Sequence, residues 1–251
     1  MKKYLVFLFI FVFLAAFLPA QAKTTSSADK NVNAVSRVLP YKDISHRIFV
    51  LRKMRKQTEQ LSEEDKSVIK KYVFGAVRGE DTYLLINCYL RDNLQDYIPK
   101  KEITKPLKCR LDYYAKNLSN TISKTRLPQN MILYRGIDEK GVKSIFKNKN
   151  ITNVINKPVT EENLAILRKN LIGVKFVEKG FMSTSYDKNC AKQTKFMFEV
   201  YASKNLQAVL IEDLGKKSEK EVLINKNTKW EVIDISIVHK NDRYFYNIKI
   251  K

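Results

Sequence analysis

Three short segments of this 251-residue chain carry residue types that can act on a charged substrate. The first is the apolar run 132–134, which ends in Arg135 and Gly136. An arginine at a strand end can present its planar fork to a phosphate, and the glycine lets a ligand approach the backbone. The same pattern is also typical of an exposed strand end, so this segment indicates an anion site only in combination with others.

The second and third segments supply hydroxyls and carboxylates. Residues 180–185 end a predicted strand with three hydroxyl side chains, and Ser183 is the candidate site residue among them. Glu219 and Glu221 flank Lys220 at the start of another predicted strand. On extended backbone, a spacing of two sends both carboxylates to one face and the lysine to the other. Because like charges on one face repel, the triplet is either a solvated edge or a site that uses the charge.

The remaining composition narrows the chemistry. His46 and His239 are the two histidines of the chain, and neither lies in a motif, which argues against a histidine-based hydrolase. The seven glycines are spread singly and form no phosphate-binding loop motif. The three cysteines show no paired spacing, so we predict neither a disulfide framework nor a zinc site, and we expect no metal.

In this order, the three segments resemble those of the bacterial mono-ADP-ribosyltransferase toxins of the Arg, Ser-Thr-Ser, Glu-x-Glu class. That family includes actin-modifying binary toxins and clostridial exoenzymes that modify Rho GTPases. Upstream, Tyr83-Leu-Leu-Ile-Asn-Cys-Tyr-Leu-Arg91 is similar to the helix that lies beside the NAD phosphates in the family. Downstream, residues 221–232 are similar to the family's glutamate strand, turn and aromatic strand. The resemblance therefore extends over residues 41–251.

This resemblance implies that NAD is the substrate and that its nicotinamide–ribose bond is broken. Glu221 would stabilise the sugar, with Ser183 orienting the glutamate, while arginines and an asparagine would hold the diphosphate. The implied NAD-binding residues are Asn87, Arg91, Arg135, Gly136, Ser183 and Glu221.

The resemblance also implies the acceptor. Glu219 would align the guanidinium of an arginine on a host protein, since family members that modify asparagine carry glutamine at this position. The implied catalytic residues are therefore Arg135, Ser183, Glu219 and Glu221. The loop 212–218, rich in charged and turn residues, would contact the target protein.

The loop after the Ser-Thr-Ser segment departs from the family. Binary toxins and exoenzymes carry Phe-x-x-Arg there, which helps to hold nicotinamide and phosphate. Residues 186–196 of this chain contain no clear match. Tyr186, Lys192 and Phe196 are the candidates to replace it.

Hydrophobic periodicity predicts the elements that position these residues. Helical spacing covers 41–57, 62–74, 81–93, 107–123 and 160–173, with Ser62 and Thr160 as helix caps. Alternation then predicts seven or eight short strands, at 131–134, 174–177, 181–184, 196–200, 208–211, 221–224, 233–237 and 244–250. Helices followed by strands predict an α+β domain. With the resemblance, this is an ADP-ribosyltransferase-like fold with N-terminal helices packed on a mostly antiparallel, two-sheet β core.

The N-terminus predicts export. Residues 1–22 show the charged, apolar and small-residue order of a signal peptide, 23–38 form a polar flexible leader, and 39–251 form one catalytic domain. Loss of Lys2 and Lys3 lowers the net charge from +21 to +19, which favours transient contact with anionic membranes. We expect a secreted monomer that acts in the host cytosol and binds no nucleic acid. The alternatives are an NAD glycohydrolase that uses water, a non-catalytic basic binding protein and a nucleic-acid-binding toxin.

Overall fold

Helices dominate the first part of the computed structural model, which describes residues 44–77, 79–147 and 149–251. The helices are α1 (Ile44–Glu59), α2 (Glu63–Phe74), α3 (Thr82–Leu90), α4 (Lys105–Ile122), α5 (Glu139–Phe146), α6 (Lys149–Ile155) and α7 (Glu161–Leu171). Short 3₁₀ turns cover Leu94–Asp96, Lys100–Glu102 and Lys217–Glu219. The predicted signal peptide (1–22) and leader (23–38) lie outside the described residues. Within those residues, no helix combines the length and apolarity needed to cross a membrane.

Polar side chains begin four of these helices. In each case the side chain accepts a hydrogen bond from the backbone N–H three residues further on, which satisfies a donor that the first helical turn leaves unpaired. The capping residues are Ser62, Thr104, Asp138 and Thr160. The predicted helix starts at Ser62 and Thr160 are therefore confirmed.

The strands follow in the second part of the chain. A short hairpin pairs β1 (Ala76–Val77) with β2 (Glu80–Asp81). The large sheet contains β3 (Met131–Ile137), β4 (Lys175–Glu178), β5 (Met182–Ser185), β6 (Phe196–Ala202), β7 (Ala208–Leu210), β8 (Glu221–Ile224), β9 (Thr228–Lys240) and β10 (Arg243–Ile250). Its spatial order is β4-β9-β10-β6-β3-β5-β8-β7.

The predicted α+β class and mostly antiparallel pairing are confirmed. Only β6 and β10 run parallel among the strand pairs of the described sheet. The observed core differs from the predicted two-sheet core in one respect. Its eight strands follow one another in a single hydrogen-bonded order. The long strand β9 joins the parts, since it pairs with β4 near its start and with β10 along the rest.

The sheet is buried on both faces at β7 and β8. Val222 and Ile224 pack into the cluster formed with α5, α6, α7 and the other strands. Leu223 and Val209 point the opposite way, into a cluster formed mainly by α2, α3 and α4. Successive side chains of a strand alternate between faces, so a continuous apolar run is what a doubly covered strand requires. This arrangement places the start of β8 against the N-terminal helices.

Candidate active site

Glu221 opens β8 and lies opposite Ser185 of β5 in the sheet register. Its side chain faces the same side as Ser183, the diagonal neighbour, whose hydroxyl forms a hydrogen bond with the carboxylate. Thr184 and Ser185 are engaged differently, since their hydroxyls donate to the backbone carbonyls of Val222 and Lys220. Of the three hydroxyls, Ser183 is therefore the one that serves the acid.

The environment of Glu221 favours its neutral form. The residue is only 7% exposed, and this burial raises the pKa of Glu221 to about 7. The hydrogen bond from Ser183 opposes the rise, the negative charge of Glu219 adds to it, and Arg135 opposes it. A carboxyl group with its pKa near neutrality, held beside an arginine, is typical of a functional site.

Glu219 does not lie on extended backbone, so the predicted alternation of the triplet is wrong. It ends the 3₁₀ turn Lys217–Glu219, and Lys220 then adopts the left-handed conformation with φ 48° and ψ 48°. The strand begins only at Glu221. The Glu219 side chain is 50% exposed and lies 3.6 Å from the ammonium of Lys216. The two acids thus interact electrostatically, but one is buried and the other faces solvent.

A buried hydrogen-bond network connects α3 to the segment between β4 and β5. Nε of Arg91 lies 2.9 Å from Oε1 of Glu178, and the backbone N–H of Gly180 donates to the same oxygen at 2.8 Å. Asn87 accepts from the backbone N–H of Phe181 at 2.8 Å. A β-carbon at Gly180 would lie 2.6 Å from the Asn87 amide oxygen, so glycine is needed for this close approach.

Tyr72 completes this network from α2. Its hydroxyl accepts a hydrogen bond of 2.8 Å from the Asn87 amide nitrogen. Burial is the largest influence on Tyr72 and raises its pKa, and the charges of Glu221 and Arg135 also act on it. Two helices and three strands therefore meet around these side chains.

Two arginines bring unused hydrogen-bond donors to the same place. Arg135 on β3 is half-buried and interacts electrostatically with Glu178, Arg91 and Glu221. Burial lowers the pKa of Arg135 from its usual value. Burial also acts to lower the pKa of Arg91, but the charge and hydrogen bond of Glu178 raise it overall. Nη1 of Arg135 and Nη2 of Arg91 are buried and have no hydrogen-bond partner among the described residues.

These orphaned donors indicate what the site accommodates. A buried donor without a partner costs free energy, about 1–3 kcal/mol and more when it is charged. In native structures such groups usually bond to a ligand, an ion or an ordered water, or serve a catalytic role. A planar guanidinium can donate two parallel hydrogen bonds to the oxygens of one phosphate. Two arginines side by side therefore fit an anion such as a diphosphate.

Close packing within the fold requires glycine at position 136. A β-carbon there would lie 1.8 Å from the backbone carbonyl oxygen of Lys192 and 2.8 Å from the Thr194 hydroxyl. The loop that precedes β6 therefore fills the space where we expected a ligand to approach the backbone. Arg135 reaches the site, but this side of Gly136 is closed by the chain itself.

The three candidates to replace the Phe-x-x-Arg motif differ in their surroundings. Phe196 is fully buried and stacks on Tyr246 with ring centroids 5.4 Å apart, so it belongs to the core. Tyr186 is 8% exposed and its hydroxyl donates to Glu212 at 3.0 Å. The Lys192 side chain is exposed. Lys192 is therefore the one of the three with a side chain free to reach a ligand.

Sequence reasoning missed Glu178 and Tyr72. Glu178 lies two residues after the buried Phe176 on a strand, so period-2 alternation places it on the buried face. A buried carboxylate needs a cationic partner, and that requirement was the available signal for its pair with Arg91. Tyr72 gave no comparable signal, because an aromatic residue on a helix is typical of an apolar core.

The α+β domain thus brings together a buried carboxylate, a hydroxyl beside it and two arginines with unused donors, a set of groups that suits a phosphate-bearing ligand. The chain belongs to the ADP-ribosyltransferase exoenzyme family, whose model matches residues 49–250. No curated protein sequence is significantly similar to it.

Solved structures of this family share the fold. Plx2a, an ADP-ribosyltransferase toxin from Paenibacillus larvae, is 21% identical with a TM-score of 0.60, and the match covers 81% of this chain and 92% of Plx2a. C3stau2 from S. aureus, solved with NAD, is 17% identical with a TM-score of 0.65, covering 84% and 97%. BECa of a C. perfringens binary enterotoxin, solved with NADH, is 19% identical with a TM-score of 0.63, covering 82% and 47%.

Proposed function

We propose that this ADP-ribosyltransferase cleaves the nicotinamide–ribose bond of NAD and transfers ADP-ribose to an arginine of a host protein. The observation that carries the proposal is the buried Glu221, with Ser183 beside it, next to two arginines whose buried donors lack partners among the described residues. That C3stau2 was solved with NAD supports the choice of substrate. The diphosphate of NAD can accept hydrogen bonds from the two arginines, and its glycosidic bond is one that a carboxylate such as Glu221 helps to break.

Glu221 would act on the sugar. Breaking a glycosidic bond develops positive charge on the ribose, and a positioned carboxylate stabilises that charge. Burial makes the carboxylate effective because few waters screen it, and the cationic substrate favours its ionised form. Ser183 would orient Glu221 through their hydrogen bond.

The arginines would hold the diphosphate. Glu178 binds Nε of Arg91 and so restrains the guanidinium, whose Nη2 is left without a partner among the described residues. Asn87, bound to Tyr72 and to the Phe181 backbone, supports the same helix. Together with Arg135, these residues would orient the substrate so that binding energy is used at the reacting bond.

Glu219 would act on the acceptor. It is half-exposed at the end of the loop that precedes Glu221, where a protein side chain can reach it. A guanidinium is always charged, so a carboxylate is needed to align it and to take its proton as its nitrogen attacks. The glutamate at this position is what supports arginine over asparagine as acceptor.

The remaining proposals concern location and assembly. Residues 1–22 would direct secretion, and the protein would act as a monomer in the host cytosol. The net charge of the mature chain, +21 less the two charges of Lys2 and Lys3, would favour transient contact with anionic membranes. N-terminal sequencing of exported protein tests the first step, with a mature chain expected to begin after Ala22 and a chain beginning at Met1 contradicting it.

Incubation of the protein with labelled NAD and host-cell lysate tests the function. We expect release of nicotinamide and a labelled protein band that free arginine analogues such as agmatine compete away. Glu221→Ala is the matched control and should show neither. Nicotinamide release without any labelled acceptor would instead identify an NAD glycohydrolase, and no release would reject both activities.

A further inference from the structure

The loop that carries Glu219 is tied at both ends to two consecutive residues that follow β5. At one end, the Tyr186 hydroxyl donates to Glu212 at 3.0 Å. At the other end, the Lys220 ammonium donates to Asp187 at 2.7 Å. The backbone N–H of Tyr186 also donates to the carbonyl of Lys220 at 3.2 Å. Residues 213–219 therefore span between two anchors set by adjacent side chains.

Side chains of helix α1 contact both of these anchoring pairs, Tyr186–Glu212 and Asp187–Lys220. Arg55 donates to the second carboxylate oxygen of Glu212 at 3.1 Å, so this acid is held from two sides. The Arg47 guanidinium lies 5.0 Å from the centroid of the Tyr186 ring and 3.6 Å from Asp187. The contacts connect α1, the residues after β5 and the loop before β8 into one network.

The conformation of Lys220 depends on this network. A left-handed lysine is disfavoured by about 1–2 kcal/mol and persists only where its surroundings fix it. Here, Tyr186 N–H and the Ser185 hydroxyl both donate to its carbonyl, while Asp187 holds its ammonium. The hydrogen bond to Lys220 is also the largest influence that lowers the pKa of Asp187, so the pair stays charged.

The two glutamates differ in their dependence on these ties. Glu221 is fixed by the sheet, because it pairs with Ser185 across β5 and β8. Glu219 precedes the strand, and its ion pair with Lys216 lies within the same loop. Loosening the anchors therefore displaces Glu219 and leaves Glu221 in place.

We propose that Tyr186 and Asp187 are positioning residues that set Glu219 against the acceptor, and so determine how much of the cleaved NAD reaches a protein rather than water. The inference rests on the proposed function and deepens it. Neither residue touches the substrate in this scheme. Their effect reaches the reaction through the loop 212–220.

Two variants remove one tie each and keep the side-chain volume: Asp187→Asn and Tyr186→Phe. Both should lower the ratio of agmatine modification to NAD hydrolysis by about 3- to 10-fold, the scale of one partly buried ion pair or hydrogen bond. The KM for NAD in hydrolysis should be unchanged. In the wild-type background, Lys220→Arg should retain most of the ratio because it keeps the charge that pairs with Asp187. Lys220→Gly keeps the backbone conformation but loses that pair, so it should lower the ratio. Asp234→Asn, which breaks the pair with Lys249 in the sheet, is the control and should leave the ratio unchanged.

A second measurement does not depend on activity. Amide hydrogen exchange of residues 213–220 should be faster in Asp187→Asn and Tyr186→Phe than in wild type, and unchanged in Asp234→Asn. Faster exchange with a lowered ratio supports the proposal. An unchanged ratio, or equal losses of transfer and hydrolysis, overturns it even if the wild type modifies agmatine as proposed. If the wild type does not cleave NAD, the proposed function fails, and unchanged exchange then rejects the ties as well.

Discussion

At the scale of single residues, Glu219 and Glu221 are two positions apart in sequence and occupy different environments. Burial raises the pKa of Glu221 to about 7, whereas Glu219 is half-exposed and paired with Lys216. A buried acid can stabilise charge within the site, and an exposed acid can meet a protein side chain. The division of roles that we propose follows from this difference.

The pH dependence of NAD hydrolysis tests the environment of Glu221. Only its ionised form stabilises positive charge, so kcat/KM for NAD should rise with pH through about 7, the pKa of the acid in the free enzyme. Ser183→Ala should move this limb to higher pH, because the Ser183 hydrogen bond lowers the pKa of Glu221. A profile that stays flat from about pH 8 to pH 5 would contradict the assignment.

The same shift predicts a stability effect. The pKa of Glu221 rises on folding from 4.5 to about 7, so the native state binds the proton more tightly than the unfolded state. Stability is therefore lost as the pH rises from 4.5 to about 7, and the loss is complete above that range. Glu221→Gln should remove this loss and stabilise the protein at pH 8 by about 1–3 kcal/mol. Urea unfolding of both proteins at pH 8 and pH 5 measures it, and a destabilised variant at pH 8 would be the opposite of what burial requires.

Substitutions at Arg135 test the anion site. Arg135→Ala should raise the KM for NAD and also slow turnover, because the contact is made in both ground and transition states. Arg135→Lys keeps the charge and loses the planar fork, so it should recover only part of the loss. Ser183→Ala should have a milder effect, raising the activation free energy by about 1 kcal/mol, since it removes one hydrogen bond. Steady-state kinetics of NAD hydrolysis distinguish these variants, and an unchanged KM in Arg135→Ala would place the diphosphate elsewhere.

At the scale of elements, periodicity predicted the long helices and most strands, while the short helices were missed. The eight-residue α5 contains only two buried apolar side chains, Val142 and Phe146, so its helical period is hard to recognise. The missed α6 is rich in asparagine and β-branched residues, which have low helix propensity. Its buried Ile151 and Ile155 show that tertiary packing overrides that propensity.

The candidate site was predictable where its residues follow a motif. Arg135, Ser183 and Glu221 meet as the motif order implied. The turn at Lys220 was not predictable, because a left-handed lysine is imposed by Ser185, Tyr186 and Asp187 from another part of the chain. The role of Gly136 was also hidden, since its neighbour is a distant backbone carbonyl.

The packing at Gly136 predicts a stability effect confined to this element. Gly136→Ala would place a β-carbon 1.8 Å from the Lys192 carbonyl, so the loop must move, at a cost of about 2 kcal/mol or more. Denaturant unfolding of the variant and of the wild type measures this cost. Equal stabilities of the two proteins would show that the loop before β6 yields without cost.

At the scale of the whole molecule, the site joins the N-terminal helices to the sheet. Asn87 comes from α3 and Arg91 from its C-terminal cap, while the strands β3, β4 and β8 supply Arg135, Glu178 and Glu221. A ligand that bridges these groups binds only the assembled domain, so NAD should stabilise it by an amount that grows with the logarithm of the NAD concentration above its Kd. The chemistry therefore depends on the packing of both layers and not on one motif.

The most direct test of arginine-specific transfer compares two variants in one assay of NAD hydrolysis and agmatine modification. Glu221→Ala should lose both activities by about 100-fold or more, because both need the charge on the sugar stabilised. Glu219→Gln should keep much of the hydrolysis and lose transfer to agmatine, because only transfer requires the guanidinium to be aligned. Both variants must unfold cooperatively like wild type for the comparison to hold. Equal loss of both activities in Glu219→Gln, or full NAD cleavage by Glu221→Ala, would contradict the account.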